Sequence, residues 1–247
     1  VPLKMINDII KGVKVEYFVE TGTAGGESII EASKHFPTCY TIELIEGRTP
    51  NQIEKMIYGK TIINRPMEKI TIFSSINESN VPIWEIIDED TGIILEADGT
   101  IVDHVFNEIK YPENIIFYVG DSTELLPKIN IEINNNYAIY WLDAHYSDPE
   151  ASPEGCVECP IISEIQAISD NQKAIIVIDD ARLFLGTPPP PLKPNEWVDI
   201  QTLFKEIENN FNNHHITIID DYVVAVPKEL KNNLNRFWLN TYKNRFK

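Results

Sequence analysis

Residues 15–27, VEYFVETGTAGGE, constrain the fold of this chain more than any other stretch. An apolar run (Val15, Tyr17, Phe18, Val19) stops at Glu20, and Thr21-Gly22-Thr23-Ala24-Gly25-Gly26 then leads into a helical pattern. A buried strand that meets small residues and then a helix is the opening of a nucleotide-binding α/β unit. The small residues let backbone come close to a ligand where a larger side chain would stand in the way. Glu20, Gly22, Ala24 and Gly26 fall at every second position. The competing reading is a glycine-rich turn that binds nothing.

The pattern E-x-G-x-A-x-G over Glu20 to Gly26 resembles the first motif of class I S-adenosylmethionine-dependent methyltransferases. The next apolar stretch, 39–44 (CYTIEL), reads as a strand that carries Glu43 near its end. This carboxylate lies about twenty residues past the turn, where a ribose-binding acid sits in dinucleotide and related folds. An ordinary charge at a strand end is the alternative. The resemblance implies that Glu20, Gly22, Ala24 and Gly26 form the cradle for the methionine moiety. It further implies that Glu43 bonds the ribose hydroxyls and that Asp121 and Ser122 lie near adenine.

The remaining periodicity supports the same architecture. Leu3, Ile6, Ile9, Ile10 and Val13 have helical spacing, as do Ile29, Ile30, Ser33 and Phe36, with Pro37 ending that second helix. Strands are read at 115–119 (IIFYV), 137–142 (YAIYWL) and 174–178 (AIIVI), with helices starting at Thr123 and at Pro160. In the latter helix Ile161, Ile162, Ile165 and Ile168 mark the buried face. A further amphipathic helix carries Ile200, Leu203, Phe204, Ile207 and Phe211, and 216–219 and 222–226 form a terminal hairpin. The loop before Trp197 contains four consecutive prolines, 188–191, and is expected to be extended and stiff. Strand–helix alternation closed by a hairpin implies an α/β, Rossmann-like fold. The resemblance adds its detail: a mostly parallel seven-stranded sheet with one antiparallel strand and helices on both faces.

One region breaks the rhythm. Within 47–113, alternating apolar and polar residues with turn signals at Asp90-Thr91-Gly92 and Ala97-Asp98-Gly99 indicate a small antiparallel meander. It stands where the methyltransferase pattern has a single helix, so the chain reads as one domain, 1–247, with a β-rich insertion at 47–113. A short helix at 51–58 is also expected. The apolar face of the meander must pack on something. It covers the acceptor pocket, mediates self-association into a homo-oligomer, or packs on its own domain.

The formal charge of −17 repels phosphate backbones and anionic lipid, which argues against nucleic-acid and membrane partners. Residues 228–247 are locally basic and read as a solvated helix face. No run approaches the roughly 18 apolar residues of a membrane span. Three cysteines make no disulfide framework, so a cytoplasmic setting is expected. Cys156-Val157-Glu158-Cys159 lacks a second pair that would complete a zinc site, and two plain thiols are the expected reading.

Glu20, Glu43, Asp121, Asp143 and Asp179 all stand at strand ends, where open α/β sheets bind ligands. Their repulsion calls for a compensating ligand or cation. Asp143, Asp179 and Asp180 supply oxygen donors alone, which suits Mg²⁺ or another hard divalent cation; helix caps are the alternative. WLDAHYSD followed by VIDDAR resembles the metal-dependent O-methyltransferases of the macrocin and catechol types. That resemblance implies a cation held by Asp143, Asp179 and Asp180, with His145 as general base beside Asp143. The catechol type would carry a lysine in this loop, and none lies between Lys128 and Lys173. The expected activity is S-adenosylmethionine-dependent O-methylation of a small hydroxylated molecule such as a sugar, assisted by a divalent cation. A non-catalytic methyltransferase-like binding module and an NAD-dependent oxidoreductase are the rivals, although no Tyr-x-x-x-Lys pair supports the latter.

Overall fold

The computed structural model describes residues 1–23, 26–44, 112, 114–145 and 157–243, with the strand segments 60–61, 69–76, 82–88, 93–95 and 101–103 between them. Six helices are described: α1 (Leu3–Ile9), α2 (Glu27–Ser33), α3 (Ser122–Ile133), α4 (Ile161–Ala167), α5 (Ile200–Asn210) and α6 (Lys231–Tyr242). The main sheet contains β1 (Tyr17–Thr21), β2 (Thr38–Glu43), β3 (Lys60–Thr61), β8 (Ile115–Val119), β9 (Ala138–Leu142), β10 (Ala174–Ile178), β11 (His214–Ile219) and β12 (Tyr222–Pro227). A second sheet contains β4 (Lys69–Ile76), β5 (Pro82–Asp88), β6 (Ile93–Leu95) and β7 (Ile101–Asp103).

The main sheet runs β11-β12-β10-β9-β1-β2-β8-β3. Every described pairing in it is parallel except those of β12, which is antiparallel to both β10 and β11. Without the two-residue edge strand β3, the seven strands, renumbered along the chain, follow the order 3-2-1-4-5-7-6. This is the mostly parallel Rossmann-like sheet expected, with its single antiparallel strand slotted between two parallel ones. The second sheet pairs its strands consecutively and antiparallel, the meander read from the sequence. The helix expected at 51–58 lies outside the described residues.

Period-two alternation decides what each sheet face buries. Val19, Tyr40, Ile42, Tyr140, Leu142, Ile176 and Ile178 pack under α3, α4 and α5. Phe18, Cys39, Ile139, Trp141, Ile175 and Val177 pack under α1, α2 and α6. β9 and β10 are buried on both faces, which explains their unbroken apolar sequence. The basic segment after Lys228 is more than a solvated face: Leu234, Phe237 and Tyr242 of α6 are buried in the second layer. Each such side chain stabilises the fold by roughly 1.5–3 kcal/mol.

Two helices differ instructively from the sequence reading. α3 runs on through Pro127, which sits in its second turn, to an αL residue at Asn134. In α4 a carboxylate, Glu164, is buried beside Ile161 and Ile165, while Ile162 is half-buried against the same cluster.

Candidate functional site

The chain leaves β1 toward β2 and β8 on one side of the sheet and returns to β9 on the other, which places the topological switch point between β1 and β9. There the ladder runs past the strands: Gly22 N donates to the Ile42 carbonyl at 2.9 Å, and Asp143 N to the Thr21 carbonyl at 3.2 Å. Asp179 N donates to Leu142 at 3.2 Å and Gly120 N to Glu43 at 3.0 Å, so these strand ends form one edge. Gly22 has φ +80°, and a Cβ built there would stand 2.3 Å from the Asp143 carbonyl oxygen. Two independent reasons therefore require glycine at this position. Gly26, φ +81°, is the N-cap residue of α2. Ala24 lies outside the described residues.

Glu20 is buried beneath this turn. The hydroxyl of Thr41 donates to its Oε2 at 2.7 Å, and Thr23 Oγ1 stands 2.7 Å from that of Thr41. Burial pushes the carboxyl up to about 8; the Thr41 bond opposes the shift, and the charges of Asp143 and Glu43 add to it. Glu43, the last residue of β2, is likewise buried. Asp121 is exposed and caps α3, accepting from Thr123 N at 2.7 Å, while the adjacent Ser122 is buried.

Glu164 was not foreseen as a site residue. It is wholly buried, and its Oε1 has no hydrogen-bond partner among the described residues. Burial raises its carboxyl to about 7, while the hydroxyls of Ser122 and Thr21 and the charge of His145 pull it back. The signal available in the sequence was a lone acid on the i, i+3, i+4, i+7 apolar stripe of residues 161, 164, 165 and 168.

Beyond β9 and β10 the expected residues converge. His145 Nε2 lies 2.8 Å from Asp180 Oδ2, and its Nδ1 lies 3.5 Å from Asp143 Oδ1. Asp180 has φ +54°, a left-handed turn that directs it away from the line of Asp179. Its other oxygen, Oδ1, is 2.7 Å from Arg182 Nη1, and Arg182 also pairs with Asp221. Asp179 Oδ1 accepts from the Asp180 backbone N at 2.7 Å. Burial lowers the His145 pKa, but the Asp180 bond and the charges of Asp143, Asp180 and Asp179 more than offset it, for a net rise. Asp180 is held below the usual carboxylate range, first by its bond to His145. Asp143 is raised to about 6 by burial, against the attraction of His145.

Both oxygens of Asp180 are thus taken by protein groups, the His145 imidazole and the Arg182 guanidinium. Among the described residues no group of three or more His, Cys, Asp or Glu side chains is gathered as a metal ion would need. The described side chains as they stand do not fit the three-carboxylate cation cage. The turn at Gly22, packed against the Asp143 backbone above the buried carboxyls of Glu20 and Glu43, is the second candidate ligand site.

Cys159 is buried, with burial raising its thiol to about 12, which makes it a poor thiolate ligand or nucleophile. Cys156 lies outside the described residues. Among the described residues no helix is long and apolar enough to cross a membrane.

No protein-family model matches the sequence, and no curated protein matches it. Among solved structures, the chain is similar to CalS11, a calicheamicin methyltransferase, with TM-score 0.42 and 10% identity over 91% of this chain and 77% of that one. A SAM-dependent methyltransferase from Anabaena variabilis ATCC 29413 gives TM-score 0.35 and 7% identity over 91% and 90%. At these values the likeness by itself assigns no activity.

Proposed function

We propose that the chain is an S-adenosylmethionine-dependent methyltransferase of the class I type that methylates a hydroxyl of a small acceptor such as a sugar. The observation that carries this reading is the pairing of His145 with Asp180 beside a glycine turn closed against Asp143. In this reading a ligand cradle and a base share one lip of a sheet that is mostly parallel with one antiparallel strand, as the resemblance implies.

In this reading Gly22, Ala24 and Gly26 admit the cofactor's methionine moiety, Glu20 supports its cationic end, Glu43 takes the ribose diol, and Asp121 with Ser122 borders the base. The cofactor supplies an electrophilic methyl group on a sulfonium. The chain's own residues do the rest. With Nε2–H donating to Asp180, the lone pair of neutral His145 lies on Nδ1, which faces Asp143 Oδ1 at 3.5 Å and takes the acceptor's hydroxyl proton there. Asp180 fixes that tautomer and stabilises the imidazolium once formed, as an orienting carboxylate does. Orientation of the two reactants supplies much of the remaining acceleration.

Cation assistance, which the resemblance implies, would draw on Asp143 and Asp179; Asp180 would first have to release His145 and Arg182. Assays with Mg²⁺ and with excess chelator decide it: equal rates leave these acids to His145 alone. The reading as a whole is tested by melting temperature and methyl transfer. S-adenosylmethionine and its demethylated product should each raise the melting temperature, and NAD should not. Stabilisation by NAD alone would reverse the assignment in favour of an oxidoreductase.

A further inference from the structure

The Glu158 side chain is fully buried, although it belongs to a short loop segment ahead of α4. A carboxylate in that position requires donors. Its Oε2 accepts from the indole Nε1 of Trp197 at 3.1 Å and from the backbone N of Lys193 at 2.8 Å. Lys193 Nζ stands 3.8 Å from Oε1, and the backbone N of Glu158 donates to Glu196 Oε2 at 2.8 Å. These contacts fasten the end of the proline-rich loop to the residues just before α4. Trp197 is thereby fixed with its ring centroid 5.3 Å from that of the His145 imidazole, inclined at 64°, and 5.5 Å from that of Phe184.

We propose that Glu158 and Trp197 are a positioning pair that sets the ring plane of His145. The inference rests on the reading of His145 as the base. The contacts of Nε2 with Asp180 at 2.8 Å and of Nδ1 with Asp143 at 3.5 Å hold the two ring nitrogens but not the tilt of the ring about the line between them. An aromatic wall held by its own buried carboxylate fixes that tilt, since edge-to-face packing has a preferred angle as well as a distance. The lone pair of Nδ1 is then aimed before an acceptor arrives, which is the condition for efficient proton transfer. The pair also gives the Cys156–Cys159 segment a role that does not involve its thiols: the residue that acts there is the glutamate between them.

The test uses the full chain with ¹³C-labelled histidine, the His145 ring signals being assigned by their absence in His145→Gln. Trp197→Leu and Glu158→Ala should each move those signals at every pH of a titration, because both displace the indole and its ring current. Trp197→Phe, which keeps an aromatic wall, and Glu158→Gln, which keeps an acceptor for the indole N–H, should move them less. In methyl-transfer assays Trp197→Leu should lower kcat by about tenfold to a hundredfold, the scale of a misplaced reacting group. Cofactor affinity should be unchanged, and Trp197→Phe should recover most of the rate. Unmoved ring signals in Trp197→Leu, or equal kcat in Leu and Phe variants, would overturn the proposal; if Glu158→Ala does not fold, the two Trp197 variants decide alone. Full turnover by His145→Gln overturns instead the reading of His145 as base, whatever the ring signals do.

Discussion

Two acids that flank the switch point, Glu20 and Asp180, are treated in opposite ways. On the Glu20 side, the carboxyl nearest the turn is answered by the hydroxyl of Thr41, and burial pushes it up to about 8. On the His145 side, Asp180 meets an imidazole and a guanidinium and is held below the usual carboxylate range. Glu20 keeps its proton to a higher pH than an ordinary carboxyl, whereas Asp180 is assembled with its partners in place. The difference follows from depth: Glu20 is 1% exposed inside a central strand, whereas the side chain of Asp180 is 23% exposed in a loop that arginine can reach. A carboxyl that keeps its proton is expected to be responsive to pH, and a paired one to be preorganised.

The largest effect should come from breaking the paired side. His145→Gln is expected to reduce kcat roughly 10²–10⁴-fold, the usual span for a general base, with cofactor affinity kept. The raised pKa of His145 also places the acid limb of the pH–rate profile above the ordinary value of 6.5, because the base works only when neutral. A limb at or below that value would separate His145 from the rate.

Next comes the seam between the sides. Gly22→Ala forces a Cβ toward the Asp143 carbonyl at a positive φ. Urea unfolding should show a loss of at least about 1–3 kcal/mol, the range for a strained backbone, together with weakened cofactor binding. A variant as stable as the parent would mean that the two strands separate easily there.

Glu20→Gln sharpens the comparison from the other side. The folded carboxyl titrates near 8 and the unfolded one near 4.5, so between these values the folded chain holds a proton that the unfolded chain has lost. Its contribution is complete below the lower value and declines as pH rises toward the upper one. Glu20→Gln, uncharged throughout, should therefore melt several degrees above the parent near pH 9 and show little difference near pH 5. A constant offset at both values would contradict proton storage. The smallest effect belongs to Cys159→Ala: about 1 kcal/mol of packing and no change in turnover, as expected of a buried thiol without a ligand role.

Much of this was legible in the chain. The apolar runs at 115–119 and 174–178 mark strands with the bounds seen in the structure, and β10, buried on both faces, has no polar residue to blur its ends. The convergence of Asp143, His145 and Asp180 could be read because strand order places consecutive carboxyl ends side by side. What Asp180 does there could not. Two adjacent aspartates look alike in sequence, and only the left-handed turn at the second sends it to His145 and Arg182 while the first caps the turn. Trp197 was seen as the end of a stiff loop and not as a neighbour of His145, because 52 residues separate them and loop closure leaves no periodic trace. Glu164 was not read as a site residue because a single acid on an apolar helical stripe carries little signal of its own.

The antiparallel strand β12 has a consequence for how the molecule comes to exist. It pairs with β10 through Ile176↔Ala225, Val177↔Val224 and Ile178↔Val223, although it is made forty-odd residues later. During synthesis β10 must therefore wait with one edge unpaired, a template for the wrong partner. The turn just before β12 also brings Asp221, whose carbonyl accepts from Ala181 N at 2.8 Å and whose carboxylate accepts from Arg182 N at 2.9 Å. A ribosome that stalls between β11 and β12 releases a chain with its glycine turn, its Glu20 and its histidine, yet without the clasp on the loop that carries Asp180. Nascent chains of that length should be found with chaperones, and the appearance of catalytic competence should coincide with emergence of the final strand.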